Sequence, residues 1–103
     1  MVFDVNQVTG IGEFELEQRG DDRIYIVPGK KAFLVERFGG NKELKTIEIR
    51  TDENLSKVLK DEYESVMDSR YFGHGGIEIV LSGQIELEEI YDLVRLSYNM
   101  TAE

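Results

Sequence analysis

The sequence has no cysteine and no tryptophan, and it has a single proline and a single histidine. Without cysteine the chain can form no disulfide, no thiolate metal site and no thiol nucleophile. Its apolar runs are short, and its first ten residues, MVFDVNQVTG, lack the basic and apolar regions of a signal peptide. The sequence therefore predicts a cytoplasmic protein that does not act at a membrane.

Positive charge is scarce in the second half of the chain. Residues 1–50 hold eight Lys and Arg against nine Asp and Glu, whereas residues 51–103 hold four against twelve, and the net charge of the whole chain is −9. Because nucleic-acid affinity comes largely from Lys and Arg that neutralise phosphates, an acidic surface repels such a ligand. Any surface that binds phosphate is therefore expected in the first half.

The remaining composition is that of a folded globular protein. Its 103 residues, 41% hydrophobic and 32% charged, suffice for one domain, 1–103, with a modest core. Alternating apolar and polar residues, separated by turn-forming pairs such as Pro28-Gly29, predict a run of strands in the first half. We place these strands at 13–18, 23–27, 31–38 and 44–50, and we expect the first to be half-buried, with Phe14 and Leu16 on its buried face.

Helical periodicity replaces the alternation after residue 51. Apolar residues within 52–69 recur at intervals of three and four, which predicts a helix capped by Asp52. A strand at 77–83 and a second helix at 86–100 follow. This order predicts an α+β fold, in which an antiparallel β-sheet is covered on one face by the two helices of the C-terminal half.

Two segments of the second half resemble the MmcQ/YjbR family of small bacterial domains. TDENLSKVLKDEY (51–63) is similar to the family's Cys-Asp-Pro-Glu-Leu segment with its acidic helix, and residues 83–98 are similar to a Gly-Ser-x-Pro-Asp-Glu helix that closes with Ser-Tyr. The matching residues are Asp52, Leu55, Leu59, Tyr63, Gly83, Glu88, Ile90, Leu93, Ser97 and Tyr98. The resemblance is clear over 44–100 and implies a fold related to that of frataxin, an acidic iron-binding protein.

The chain departs from the family pattern in two places. Family members begin with a helix of several turns, for which residues 1–12 are too short, so this helix is expected to be reduced or absent. RYFGHGG (70–76) stands where the family has a Tyr-x-x-Asn-Lys-x-His-Trp loop, and it lacks the Lys and the Trp. The sheet would then be covered by a second copy of the chain, in a homodimer, or by apolar residues near the N-terminus, Val2, Phe3, Val5 and Val8.

The shortened loop holds the first candidate site, which consists of Arg70, Tyr71 and His74. A lone histidine among glycines can act as a general base or a metal ligand, but no local spacing supplies the nucleophile or the further ligands that these roles need. The glycines around it fit a turn that enters a strand equally well. We favour that structural interpretation and keep the three residues as a candidate binding site.

Two further candidate sites have opposite charge. Glu13, Glu15 and Glu17 lie on one face of a predicted strand, where carboxylates can collect a hard cation weakly. The MmcQ/YjbR family carries a DNA-binding label based on fold analogy, and the residues here that fit it form a weak basic patch within 30–45. That patch consists of Lys30, Lys31, Arg37, Lys42 and Lys45.

No acid–base constellation, phosphate-binding loop or dinucleotide fingerprint is present, which predicts no enzymatic activity and no cofactor. The sequence therefore predicts a non-enzymatic binding or interaction module of MmcQ/YjbR type whose partner it does not identify. DNA binding through the basic patch is the first alternative. Weak, frataxin-like metal binding is the second.

Overall fold

The structure is a computed structural model that describes residues 2–103. In this part of the chain, one six-stranded antiparallel sheet carries two α-helices on one face, which confirms the predicted α+β class. The strands are β1 (Glu15–Arg19), β2 (Asp22–Ile26), β3 (Ala32–Phe38), β4 (Leu44–Arg50), β5 (Val66–Ser69) and β6 (Gly73–Val80), and the helices are α1 (Glu53–Glu62) and α2 (Leu87–Ala102). Neither helix in the described part is long and apolar enough to cross a membrane.

The sheet has the spatial order β1-β2-β3-β4-β6-β5. Its first four strands follow one another in a meander, as the alternating pattern predicts. The predicted turn at Pro28-Gly29 joins β2 to β3, and the glycine has a φ of 72°, which glycine adopts at no steric cost. Helices α1 and α2 pack on the same side, so we call this side the helical face and the other side the open face.

The predicted helix at 52–69 ends early, and a strand that the sequence did not predict follows it. Tyr63 leaves the helix with extended backbone angles, φ −126° and ψ 126°, and β5 begins three residues later. The spacing of apolar residues predicted a longer helix because Val66 falls on the same stripe as the apolar residues of α1. Its burial instead comes from the sheet, where it lies opposite Ile79.

Two of the residues that carry the family resemblance, Asp52 and Ser97, have structural roles. Asp52 caps α1, as predicted, by accepting a hydrogen bond from the backbone N–H of Leu55 at 2.7 Å. Ser97 is fully buried in α2, where its hydroxyl donates to the carbonyl of Phe33 at 2.7 Å and accepts from the N–H of Arg50 at 2.8 Å. Ser97 therefore ties α2 to β3 and β4 at once.

The described residues before β1 form no α-helix. They contain only a short 3₁₀ turn, Val5–Gln7, and pack against the helical face through Phe3, Val5 and Val8, all of which are buried, whereas Val2 is exposed. The ring of Phe3 lies 5.6 Å from that of Tyr91 on α2. Of the two covers expected for this face, N-terminal apolar residues or a second copy of the chain, the structure shows the first. The helical face therefore needs no second copy to cover it.

The predicted half-buried character of the first strand is wrong. All five residues of β1 are exposed, and Leu16, expected on the buried side, is 53% exposed. The reason is position, since β1 lies at the edge of the sheet beyond the reach of both helices. Only Phe14, just before the strand, reaches the core, with its ring 5.4 Å from that of Tyr25.

Candidate functional site

The open face of the sheet carries two buried carboxylates that lie side by side. Glu48 on β4 and Glu78 on β6 are directly opposite each other in the strand register, and they are 0% and 2% exposed. The Cβ atoms of such a pair are about 5 Å apart, and two like charges so placed repel each other. Burying both in the charged state requires a compensating cation for each.

Each carboxylate has its own arginine. Arg37 on β3 donates from Nε to Glu48, and its Nη1 donates to the carboxylate of Asp22 at 2.7 Å. Arg70 donates two hydrogen bonds to the carboxylate of Glu78, from Nε at 2.9 Å and from Nη2 at 2.8 Å. Paired bonds of this kind are both strong and directional. The network therefore fixes the side chain of Arg70 even though that side chain is 64% exposed.

Glu48 also holds the backbone of the turn between β5 and β6, which we call the hairpin tip (69–73). Its Oε1 accepts from the hydroxyl of Ser69 at 2.7 Å and from the N–H of Tyr71 at 2.9 Å, and the Ser69 oxygen accepts from the N–H of Phe72 at 2.8 Å. Burial acts to raise the pKa of Glu48, but these bonds and that of Arg37 outweigh it and hold the pKa below its ordinary value.

The hairpin tip closes over an apolar patch on the open face. The ring of Phe72 packs on the cluster formed by Ile24, Ala32 and Val35, which no helix covers. Gly76 lies beneath the same ring, and a Cβ at this position would overlap the carbonyl oxygen of Ile49 and lie 2.7 Å from the Cβ of Phe72. One glycine of the 70–76 motif is thus required for a close approach of the chain to itself.

Three side chains project from this rigid base, and we call them the tip surface: Met67, Arg70 and Tyr71. Met67 lies opposite Glu78 in the sheet and is 42% exposed, and Tyr71 is 39% exposed with its ring edge-on to Phe72 at 4.9 Å. Two of the three residues of the predicted loop site, Arg70 and Tyr71, therefore lie together.

The third residue of that site, His74, lies elsewhere. It belongs to β6, because the strand begins at Gly73 and not at residue 77 as predicted, so the glycines that follow Phe72 form part of the strand. His74 is exposed in a shallow polar groove of about 370 Å³ beside α1, together with Lys57, Lys60 and Asp68. It forms no hydrogen bond with any residue in the range 2–103.

The five predicted basic residues do not form one patch. Lys30 and Lys31 precede β3, whereas Lys42 and Lys45 follow it, and the seven-residue strand separates the two pairs by about 20 Å. Arg37 is held by carboxylates on the open face. Lys45 is paired with Glu43 at 3.2 Å. Of the five predicted residues, only Lys30 and Lys31, at the β2–β3 turn, are neighbours with no ion pair among residues 2–103.

The acidic candidate site gains no geometric support. Glu15 and Glu17 lie on β1, and Glu13 precedes the strand. Across residues 2–103, no three His, Asp or Glu side chains lie close enough to hold a metal ion. Glu17 is instead paired with Arg19 at 2.7 Å.

A third buried carboxyl group, that of Glu36, lies on the helical face, under the N-terminal segment. Glu36 is 4% exposed and accepts a hydrogen bond from the hydroxyl of Tyr25 at 2.6 Å. It borders an open cavity of about 460 Å³ that Phe3 and Phe38 also line. Burial raises the pKa of Glu36 above its ordinary value and raises the pKa of Tyr25, which the neighbouring carboxylate raises further.

Sequence reasoning missed all three buried glutamates. Glu48 and Glu78 each stand between two isoleucines, in 47–49 and 77–79, and such alternation predicts that the glutamate faces water. The repeated Ile-Glu-Ile triplet on two strands is a signal that these carboxylates share a face. It does not indicate that the hairpin tip covers them.

Comparisons with known proteins bear on the fold alone. No protein-family model and no curated protein matches the sequence. The fold is similar to the crystal structure of a Deinococcus radiodurans protein with a DUF419 domain, with a TM-score of 0.76 and 11% identity over 90% of this chain and 71% of that one. It is also similar to the crystal structure of a Pseudomonas syringae protein, with a TM-score of 0.68 and 14% identity over 85% of this chain and 86% of that one. The chain therefore has the fold of a DUF419 domain protein.

Proposed function

We propose that the protein is a single-domain, non-enzymatic binding module of MmcQ/YjbR type that works in the cytoplasm and contacts a partner protein through its tip surface. The fold similarity to a DUF419 domain protein supports this, since DUF419 is related to MmcQ/YjbR. One observation carries the proposal. A fully buried carboxylate, Glu48, fixes the backbone of an exposed turn that presents Arg70 and Tyr71.

The residue types of the tip surface are those that proteins use as binding anchors. Tyr, Met and Arg are enriched at protein interfaces, and Tyr and Arg supply much of the binding free energy. Immobilising such a side chain on binding costs about 0.5–1.5 kcal/mol. Because Glu78 already orients Arg70 and Phe72 already supports Tyr71, much of this cost is met before a partner arrives.

The chemistry of the tip surface defines its partner. Arg70 has five N–H donors and uses two of them on Glu78, so the others are available to a carboxylate or carbonyl on the partner. Met67 and Tyr71 offer apolar area beside it. The expected partner is a protein surface with an acidic side chain next to an apolar one.

The titratable groups of the open face support a binding role over a catalytic one. A general base must be free to take a proton. Glu48 accepts three hydrogen bonds that favour its charged form, and Arg70 occupies both oxygens of Glu78. His74 lies in a different groove from either carboxylate.

Site-specific photocrosslinking in cells that make the protein tests the proposal. A photoreactive phenylalanine derivative replaces Tyr71 in one variant and Leu96 in a control, because Leu96 is 42% exposed on α2, which packs on the opposite face. The crosslinked partner is then purified, and its affinity is measured for the wild type, Tyr71→Ala, Arg70→Ala and Leu96→Ala.

We expect one dominant crosslinked protein from position 71 and not from position 96. Tyr71→Ala and Arg70→Ala should each weaken its binding about tenfold or more, while Leu96→Ala leaves it unchanged. The proposal fails if position 71 gives no product beyond that of position 96, or if the tip variants bind with wild-type affinity. A crosslinked product that consists of two copies of this chain would show that the tip surface forms a homodimer and does not bind a partner protein.

DNA binding remains the alternative, and it rests on Lys30 and Lys31 at the β2–β3 turn. Two lysines offer few phosphate contacts, and the net charge of −9 opposes a long polyanion. Fluorescence polarisation with a labelled duplex at about 50 mM salt, where phosphate contacts are strongest, decides this point. Saturable binding that Lys30→Ala abolishes would support DNA over a partner protein.

A further inference from the structure

A groove between the β2–β3 turn and the C-terminal end of α2 collects positive charge. It encloses about 500 Å³, and its charged or polar lining consists of Lys30, Lys31, Arg50, Thr101 and Glu103. Its ionisable side chains, three cations and one carboxylate, sum to two positive charges. This local sign is opposite to that of the whole chain, whose net charge is −9.

None of the three cations of the groove has a carboxylate partner among residues 2–103. Of the twelve Lys and Arg in the chain, six form an ion pair within residues 2–103: Arg19, Arg37, Lys45, Lys60, Arg70 and Arg95. Half of the other six line this one groove. In a protein with an excess of acidic residues, unpaired cations that converge indicate a site for a negative ligand.

Arg50 is the fixed element of the groove. Its Nε donates to the carbonyl of Ala32 at 2.7 Å, and its guanidinium carbon lies 4.8 Å from the centre of the Phe72 ring. These two contacts define the plane of the guanidinium. Its two Nη atoms have no acceptor among the described residues, so the part of the group suited to a forked oxyanion contact is unused.

We propose that this groove binds a small oxyanion, a phosphate or carboxylate group, through the Nη atoms of Arg50 and the ammonium groups of Lys30 and Lys31. Arg50 supplies the directional contact, and the lysines, which stand on the β2–β3 turn, supply charge. The excess of cationic over acidic side chains in the groove favours a negative ligand such as phosphate. This site is distinct from the tip surface and does not depend on the function proposed for it.

An NMR titration of the full chain tests the site. Inorganic phosphate is added at constant ionic strength, with acetate in a parallel titration, and backbone amide shifts are followed. The test variant is Lys30→Ala/Lys31→Ala, and the matched control is Lys42→Ala/Lys57→Ala, which removes two lysines that also form no ion pair but lie elsewhere. A third variant, Arg50→Lys, keeps the positive charge and removes the two Nη donor groups.

Saturable shifts confined to 29–31, 50–51 and 100–103 are the expected result. The Lys30→Ala/Lys31→Ala and Arg50→Lys variants should bind about tenfold more weakly, and the control pair should bind as the wild type does. Tighter binding of phosphate identifies a phosphorylated ligand, and tighter binding of acetate identifies a carboxylate. Shifts scattered over the chain, or equal losses in the test and control pairs, would overturn the proposal.

Discussion

Glu48 and Glu78 lie directly opposite each other on β4 and β6, both buried, and their arginines come from different parts of the chain. Arg37 comes from the neighbouring strand, whereas Arg70 comes from the hairpin tip. The tip therefore neutralises Glu78 with the side chain of Arg70 and donates backbone and hydroxyl hydrogen bonds to Glu48. Closing the tip and burying the two charges are one event, so damage to either should loosen both.

Replacing Glu48 with glutamine should destabilise the protein by about 2 kcal/mol, or lower the melting temperature by about 10 °C. The amide keeps the shape of the side chain but loses the charge that binds Arg37. Since the pKa of Glu48 is lower in the folded state, its stabilising effect is present above the ordinary pKa of 4.5 and is lost as the pH falls through the folded value. The difference between variant and wild type should therefore shrink in acid.

Urea unfolding at pH 7 and at pH 3 measures that difference. Glu15→Gln is the matched control, because Glu15 lies exposed on β1, and we expect it to change the free energy of unfolding by less than about 0.5 kcal/mol. Equal stability of Glu48→Gln and the wild type at pH 7 would contradict the structural role of the buried charge.

Gly76→Ala should destabilise the protein by about 1–3 kcal/mol. The added methyl group would overlap the carbonyl oxygen of Ile49 and press against Phe72, so the hairpin tip would have to shift. Gly40→Ala provides the comparison, because a Cβ at Gly40 meets no atom within 4 Å. Thermal unfolding of both variants checks the prediction, and similar melting temperatures would show that the tip does not pack as described.

Glu36→Gln should stabilise the protein at neutral and alkaline pH. The pKa of Glu36 is raised by burial, so the unfolded chain releases the proton first and wild-type stability falls as the pH rises from 4.5 through the folded value. Glutamine cannot ionise and still accepts from Tyr25. Between pH 4 and pH 8, the melting temperature of Glu36→Gln should rise relative to that of the wild type. Asn41 and Lys45 lower the pKa of Glu43, so Glu43→Gln should show no such relative increase.

Ser97→Ala should cost about 1–3 kcal/mol, because it leaves the carbonyl of Phe33 and the N–H of Arg50 without their shared hydroxyl inside the protein. Asn99→Ala, two residues further along α2 and exposed, serves as the control. Denaturant midpoints for the two variants should differ clearly. A Ser97→Ala variant as stable as Asn99→Ala would mean that α2 does not depend on this bridge.

The fold class was predictable because alternation and helical periodicity are local properties of the sequence. The strands β2, β3 and β4 lie within about one residue of their predicted positions, and α2 begins one residue after its predicted start. β5 was not predictable in this way. It has four residues, only its first and last are buried, and its position depends on pairing with β6.

The candidate site was predictable only in part. Arg70 and Tyr71 were identified as neighbours in a loop, but their attachment to Glu48 and Glu78 depends on how the hairpin tip folds back over the open face. No local pattern encodes that contact. Arg50 shows the same limit, because its freedom from carboxylate partners is a property of the folded chain.

The β1 edge of the sheet has a consequence for how the protein behaves at high concentration. An edge strand offers unpaired N–H and C=O groups to any other extended chain, and β1 carries Glu15 and Glu17 on one side of that edge. A second β1 strand that docked there in an extended pairing would bring these carboxylates close to their own copies. The acidic residues that suggested a metal site are therefore expected to disfavour pairing of two β1 edges, a role that needs no ligand.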